Sequence, residues 1–139
     1  DEGWGAIFAA VCSSKASKVT SIDASSEAIG IKGAKLIGQA LRNSVNTSLT
    51  HLLMGENSME DESCIALAEG MQQNGSCKIE ALNLCGNKIG PPGAKSLAAM
   101  ISVTASLTRV DVRGNYLGQE GKAVLRKAVE GRSGLQLLL

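Results

Sequence analysis

Residues 79–94 read IEALNLCGNKIGPPGA, and the order of apolar residues, asparagine and glycine in this stretch recurs along almost the whole chain. Ile79, Leu82 and Leu84 are followed by Asn87, Ile89, Gly90 and Gly93, after which a helix-like run begins. The next copy is Leu107, Val110, Val112, Asn115, Leu117, Gly118 and Gly121, and the preceding one is Leu49, Leu52, Met54, Asn57 and Met59. The earliest complete copy is Val19, Ile22, Ala24, Ile29, Gly30 and Gly33, and a fifth begins at Leu135 and stops at Leu139. The first apolar positions, 19, 49, 79, 107 and 135, are separated by 30, 30, 28 and 28 residues. Self-similarity at such a period marks a stacked array in which each unit buries its apolar face on the next.

The pattern LxxLxLxxNxLGxxGxxxLxxxL resembles a leucine-rich repeat. Its length and glycines are similar to the ribonuclease-inhibitor-like subfamily, which includes the sensor ends of NOD-like receptors, and CKIEALNLCGNKIG at residues 77–90 is the nearest match. The resemblance covers nearly all of the 139 residues. It implies an α/β solenoid with a curved parallel sheet on the concave side and helices on the convex side, and a role in protein binding rather than catalysis. Residues 1–139 then form a single domain: a partial N-terminal repeat over 1–18, repeats starting at 19, 49, 79 and 107, and a final strand over 135–139.

Local patterning leads to the same elements. Residues 1–11, DEGWGAIFAAV, align with 31–41, IKGAKLIGQAL, so the chain opens inside a repeat. Trp4, Ile7, Phe8 and Val11 recur at the spacing of one helix face. Strands are expected at 19–24, 49–54, 79–84 and 107–112, and further helices at 33–42, 61–71, 93–101 and 119–130. Pro91 and Pro92 precede their helix, where a missing N–H costs nothing. Every connection between strands carries a helix, so neighbouring strands must run parallel, and right-handed crossovers then place the helices on one side. Glu60, Asp61 and Glu62 open one helix and complement its positive end. Glu27 stands where later copies have Asn57, Asn87 and Asn115. A carboxylate cannot donate as an amide does, so a looser first turn is expected.

Hydrophobic residues make up 44% of the chain, enough for a real core, but only Trp4, Phe8 and Tyr116 are aromatic, so that core must be aliphatic. The same scarcity argues against single-stranded nucleic acid, which is bound on aromatic platforms. A net charge of +1 gives no electrostatic footprint for a duplex. No run reaches the roughly 18 apolar residues of a membrane span, and the N-terminus lacks a signal-peptide pattern. Cys12, Cys64, Cys77 and Cys85 form no CxxC pair and no metal-ligand spacing. We therefore expect no metal, no cofactor, and reduced thiols in a cytoplasmic compartment. Asn46 and Asn74 each open an N-x-S sequon, which matters only in a secreted chain.

Phosphate-loop, dinucleotide, zinc-protease and hydrolase motifs are all missing, so no catalytic residue is assigned and the chain is read as a non-enzyme. The enzymatic alternative is a convergence of His51, the single histidine, with Asp23 and Cys85 across neighbouring strands. Residues that alternate with the buried leucines face the other side of a sheet. One column is Ser21, His51, Ala81, Arg109 and Leu137; the other is Asp23, Leu53, Asn83, Asp111 and Leu139, with Ser25, Cys85 and Arg113 just beyond. By resemblance, partner binding falls to His51, Leu53, Asn83, Cys85, Arg109, Asp111 and Arg113. The alternatives are a structural subunit of a larger assembly, or an enzyme-inhibiting or sensing repeat domain of a larger protein. Five strands at about 4.8 Å separation span only about 19 Å, a strip smaller than a standard interface footprint. The edge from Leu135 to Leu139 is expected to be covered by another chain, another copy or further sequence, or else to drive self-association.

Overall fold

In the computed structural model, which describes residues 1–139, helices and strands alternate as α1 (Glu2–Ser13), β1 (Ser21–Asp23), α2 (Ile31–Arg42), β2 (His51–Leu53), α3 (Asp61–Gln73), β3 (Ala81–Asn83), α4 (Pro91–Val103), β4 (Arg109–Asp111), α5 (Gly118–Ala128) and β5 (Gln136–Leu138). The strands lie in sequence order in one sheet, every neighbouring pair parallel. The result is an α/β solenoid with the sheet concave and the helices convex. No helix is long and apolar enough to cross a membrane.

The repeat pattern becomes three buried stacks. Ile22, Leu52, Leu82 and Val110 sit at the strand centres in register. Ala24, Met54, Leu84 and Val112 follow them, then Ile29, Met59, Ile89 and Leu117, all buried. The helices close this core with Ala34, Ile37 and Leu41, then Cys64, Leu67 and Met71, then Ala94, Leu97 and Ile101. Truncating any of the large members to alanine would cost about 2–5 kcal/mol, because neighbours in a stacked array collapse only partly into the void. Strands are three residues long rather than six. The residues just past each strand still bond between repeats, as Ala24 N–H does to Leu53 O and Leu84 N–H to Asp111 O at 2.8 Å, but they belong to the turn.

Helix ends differ from expectation by up to two residues, and three further points differ in kind. In α1 the buried residues are Gly5, Phe8 and Cys12; Trp4 and Val11 are half-buried and Ile7 is 46% exposed, so the inward face is rotated from the expected one. Pro91 and Pro92 are the first two residues of α4, inside the helix rather than ahead of it. The last strand is shifted by one residue: Arg109 pairs with Gln136, Val110 with Leu137 and Asp111 with Leu138. Leu137 and Leu139 therefore do not join the concave columns, which end in Gln136 and Leu138; Leu137 and Leu139 pack against the core instead. Arg109 and Gln136 are 27 residues apart where Ala81 and Arg109 are 28, so counting a full period to Leu135 overshoots.

Polar ladders hold the turns. Asn57 Oδ1 accepts the N–H groups of Glu27 and Ile29 in the preceding repeat, and its Nδ2 donates to Ala24 O and Met54 O. Asn87 repeats this one step on, and Asn115 does so with Ile89 N–H alone. The first turn is consequently not looser: Ser26 and Ala28 (φ 56° and 54°) match Glu56 and Ser58 (φ 56° and 57°), because the asparagine that serves that turn lies in the next repeat. On the opposite edge, Asn46 Nδ2 donates to Ser14 O and Ser17 O, and Asn74 Nδ2 to Leu41 O and Ser44 O. Arg132 takes the same place, donating to Ile101 O and Thr104 O. Both sequon asparagines thus spend their amide nitrogens on structure, and a glycan there would break those bonds.

Asp61 also acts across the array. Its Oδ1 accepts Gly90 N–H at 2.7 Å and Gly93 N–H at 2.9 Å, capping the start of α4, so this member of the acidic run serves the neighbouring helix. A Cβ on Gly93 would lie 2.8 Å from that oxygen, which explains the glycine.

Candidate functional site

Of the two concave rows, Ser21, His51, Ala81, Arg109 and Gln136 form the first and Asp23, Leu53, Asn83, Asp111 and Leu138 the second. In the first row Ser21, His51 and Gln136 are exposed and Ala81 and Arg109 half-buried. Thr50 Oγ1 lies 2.8 Å from His51 Nδ1, so the imidazole is oriented from its own strand.

The second row has a local duty that the columns alone do not reveal. Asp23 Oδ1 accepts Ser25 N–H, Asn83 Oδ1 accepts Cys85 N–H, and Asp111 Oδ1 accepts Arg113 N–H, all at 2.9–3.1 Å. An aspartate or asparagine that accepts the amide two residues on shapes the turn leaving the strand. Leu53 breaks the series and is half-buried with no polar task.

In repeat four this turn carries charge. Asp111 is 2% exposed; Arg113 Nε donates to its Oδ1 at 3.1 Å and Arg113 Nη2 to its Oδ2 at 2.9 Å, a bidentate pair, while Arg109 Nη2 lies 3.9 Å from Oδ2. The Arg113 hydrogen bond holds the Asp111 carboxyl below the usual range, against the opposing effect of burial, and Arg113 is raised in turn. Asp23 is lowered too, by its bonds to Ser25. Asp111 is thus turned inward and positions the arginines, whereas Arg109 and Arg113 expose their guanidinium ends.

Cys85 is half-buried beside Gly55, whose Cβ would come within 3.0 Å of the sulfur. His51, Asp23 and Cys85 each bond within their own strand or turn rather than to one another. The other thiols are turned away from chemistry: burial pushes Cys64 up to about 12 and raises Cys12 and Cys77.

Sequence columns missed the rim. At the turn leaving β4, Tyr116 is 68% exposed, and Lys88 occupies the matching place one repeat earlier. Gly86 and Gly114, at φ 67° and 71°, occupy the turn position held by Ser26 and Glu56 in the first two repeats; the Glu56 carboxylate lies over Gly86, and Gly114 leaves its backbone bare. Aligning residues 28, 58, 88 and 116 as a further column would have found it.

The sequence profile described as "Leucine Rich repeat" matches residues 45–68 and 75–98, on the two central repeats of this sheet. The chain is a leucine-rich repeat protein. Among leucine-rich repeat relatives, it is 26% identical over 134 residues to RAN GTPase-activating protein 2 of Arabidopsis thaliana, covering 94% of this chain and 24% of that protein. It is 32% identical over 82 residues to the NACHT, LRR and PYD domains-containing protein 3 of Macaca mulatta, covering 59% of this chain and 8% of that protein. The leucine-rich repeat chain therefore spans a quarter or less of these curated relatives. Its fold is also that of the Caenorhabditis elegans tropomodulin C-terminal domain, with a TM-score of 0.79, 14% identity, and coverage of 96% of this chain and 80% of that one.

Proposed function

We propose that this domain is a non-catalytic module of the ribonuclease-inhibitor-like kind that binds a protein partner on its concave sheet face. The observation that carries the reading is the first row: Ser21, His51, Ala81 and Arg109 stand in register on a rigid sheet with neither a core nor a turn-forming task. A surface whose side chains vary from strand to strand over an invariant scaffold suits recognition, since specificity can change there without cost to the fold. The name of one relative, a GTPase-activating protein, is that of a protein acting on another protein, which agrees with this reading.

Affinity capture from native extract tests it. The variant His51→Glu/Leu53→Glu should lose the captured protein, and the convex-face variant Glu69→Lys/Lys122→Glu should keep it. Equal capture by wild type and the concave variant would remove the concave face from the account.

A further inference from the structure

We propose, resting on the reading of the concave face as protein-binding, that its dominant contact is the corner formed by Arg109, Arg113 and Tyr116, and that this corner takes an acidic segment of the partner. Three residues at period two, Arg109, Asp111 and Arg113, place two guanidinium groups on either side of one carboxylate. The carboxylate is buried, so what the surface presents is cationic, although the three groups together carry a charge of only +1. No other repeat has this arrangement: the residue two beyond the turn-forming position is Ser25, Gly55 or Cys85 elsewhere.

Arg113 is already fixed by Nε and Nη2, leaving Nη1 to meet a ligand, and Arg109 spends little on Asp111 at 3.9 Å. A guanidinium held in place loses less freedom on binding a planar carboxylate than a free side chain would. Ala81, Asn83, Cys85, Gln136 and Leu138 on the neighbouring strands carry no acid, and the exposed acid next to them, Glu80, precedes β3. Exposed acids line the first three repeats, namely Asp23, Glu27, Glu56, which reaches over Gly86, and Glu80, whereas the fourth repeat's face and β5 expose none, so an acidic segment is directed to β4. Exposed Tyr116 follows Arg113 by three residues in the same turn, past the bare backbone of Gly114, and arginine and tyrosine are both enriched at the energetic centre of interfaces.

The probe is a hexaglutamate peptide titrated into ¹⁵N-labelled protein, with hexaglutamine and inorganic phosphate as parallel arms. Hexaglutamate should shift the Nε–H signals of Arg109 and Arg113 and the Tyr116 amide saturably, and neither other arm should. Arg109→Gln, which leaves the Asp111 and Arg113 pair intact, should weaken binding about ten-fold and Tyr116→Ala several-fold, with Lys122→Gln unchanged. Absent shifts, equal shifts with hexaglutamine, shifts with phosphate alone, or undiminished binding by Arg109→Gln would each overturn the assignment. Should natural-partner capture still depend on His51 and Leu53 while hexaglutamate leaves the corner untouched, the acidic assignment falls and the interaction face stands.

Discussion

The backbone N–H of Asn57 donates to Oδ1 of Asn87 at 3.0 Å, so the asparagine of the second repeat is held by that of the third. The same oxygen accepts Met59 N–H, and Asn87 Nδ2 donates to Met54 O, Leu84 O and Cys85 O. Asn87→Ala leaves these mostly buried groups without partners. It should cost at least about 3 kcal/mol, more than Asn115→Ala, whose oxygen accepts one amide only. Urea unfolding checks the order; equal losses would contradict the ladder.

Gly38 and Gly70 let α2 and α3 touch through their backbones. A Cβ on Gly38 would meet Ala66 O at 2.4 Å, and one on Gly70 would meet Gly38 O at 2.1 Å. Alanine would gain about 1 kcal/mol in helix propensity, but backbone atoms cannot yield as a side chain tip can. Gly38→Ala and Gly70→Ala should each destabilise by about 1–3 kcal/mol net, whereas Gly75→Ala, with nothing within 4 Å, should fall within about 0.5 kcal/mol of wild type. Thermal melting separates the two outcomes.

Asp111 makes stability depend on acid. Its carboxyl is lower in the folded chain than its ordinary value of 3.8, chiefly through the Arg113 hydrogen bond, so its contribution is whole above that value. It is lost as pH falls through the lowered folded value. Asp111→Asn should cost about 2 kcal/mol at neutral pH and should flatten the fall in urea midpoint between neutrality and strong acid. A variant with an unchanged acid limb would mean that the pair contributes nothing.

The register of β5 predicts opposite outcomes for neighbouring substitutions. Leu137 pairs with Val110 and packs on the core, while Gln136 is exposed beside Arg109. Leu137→Lys should destabilise by about 2 kcal/mol and Gln136→Lys by less than about 0.5 kcal/mol. The reverse order, read by thermal melting, would restore the register counted from Leu135.

The solenoid was legible because Leu52, Leu82 and Val110 repeat with the period that stacking demands, and the sheet register at β1–β4 follows from that spacing. β5 was not, since an apolar run such as LQLLL offers a leucine at several registers and a repeat one residue shorter decides among them. Alternation along the strands also does not reveal the local duty of Asp111 and Asn83: they sit where a strand meets its turn, and there a side-chain oxygen goes first to the backbone. The Asp61 cap on α4 spans 29 residues and leaves no local trace. Tyr116 left a trace, a fourth column at the rim, that alternation along the strands does not sample.

Hydrogen exchange on the protein alone and in complex with the protein it captures tests the concave face most directly. The account predicts slowed exchange at the strands and the turns that follow them, strongest from Arg109 to Tyr116, with α2, α3 and α4 unchanged. Slowed exchange on those helices, with the strands unaffected, would contradict it.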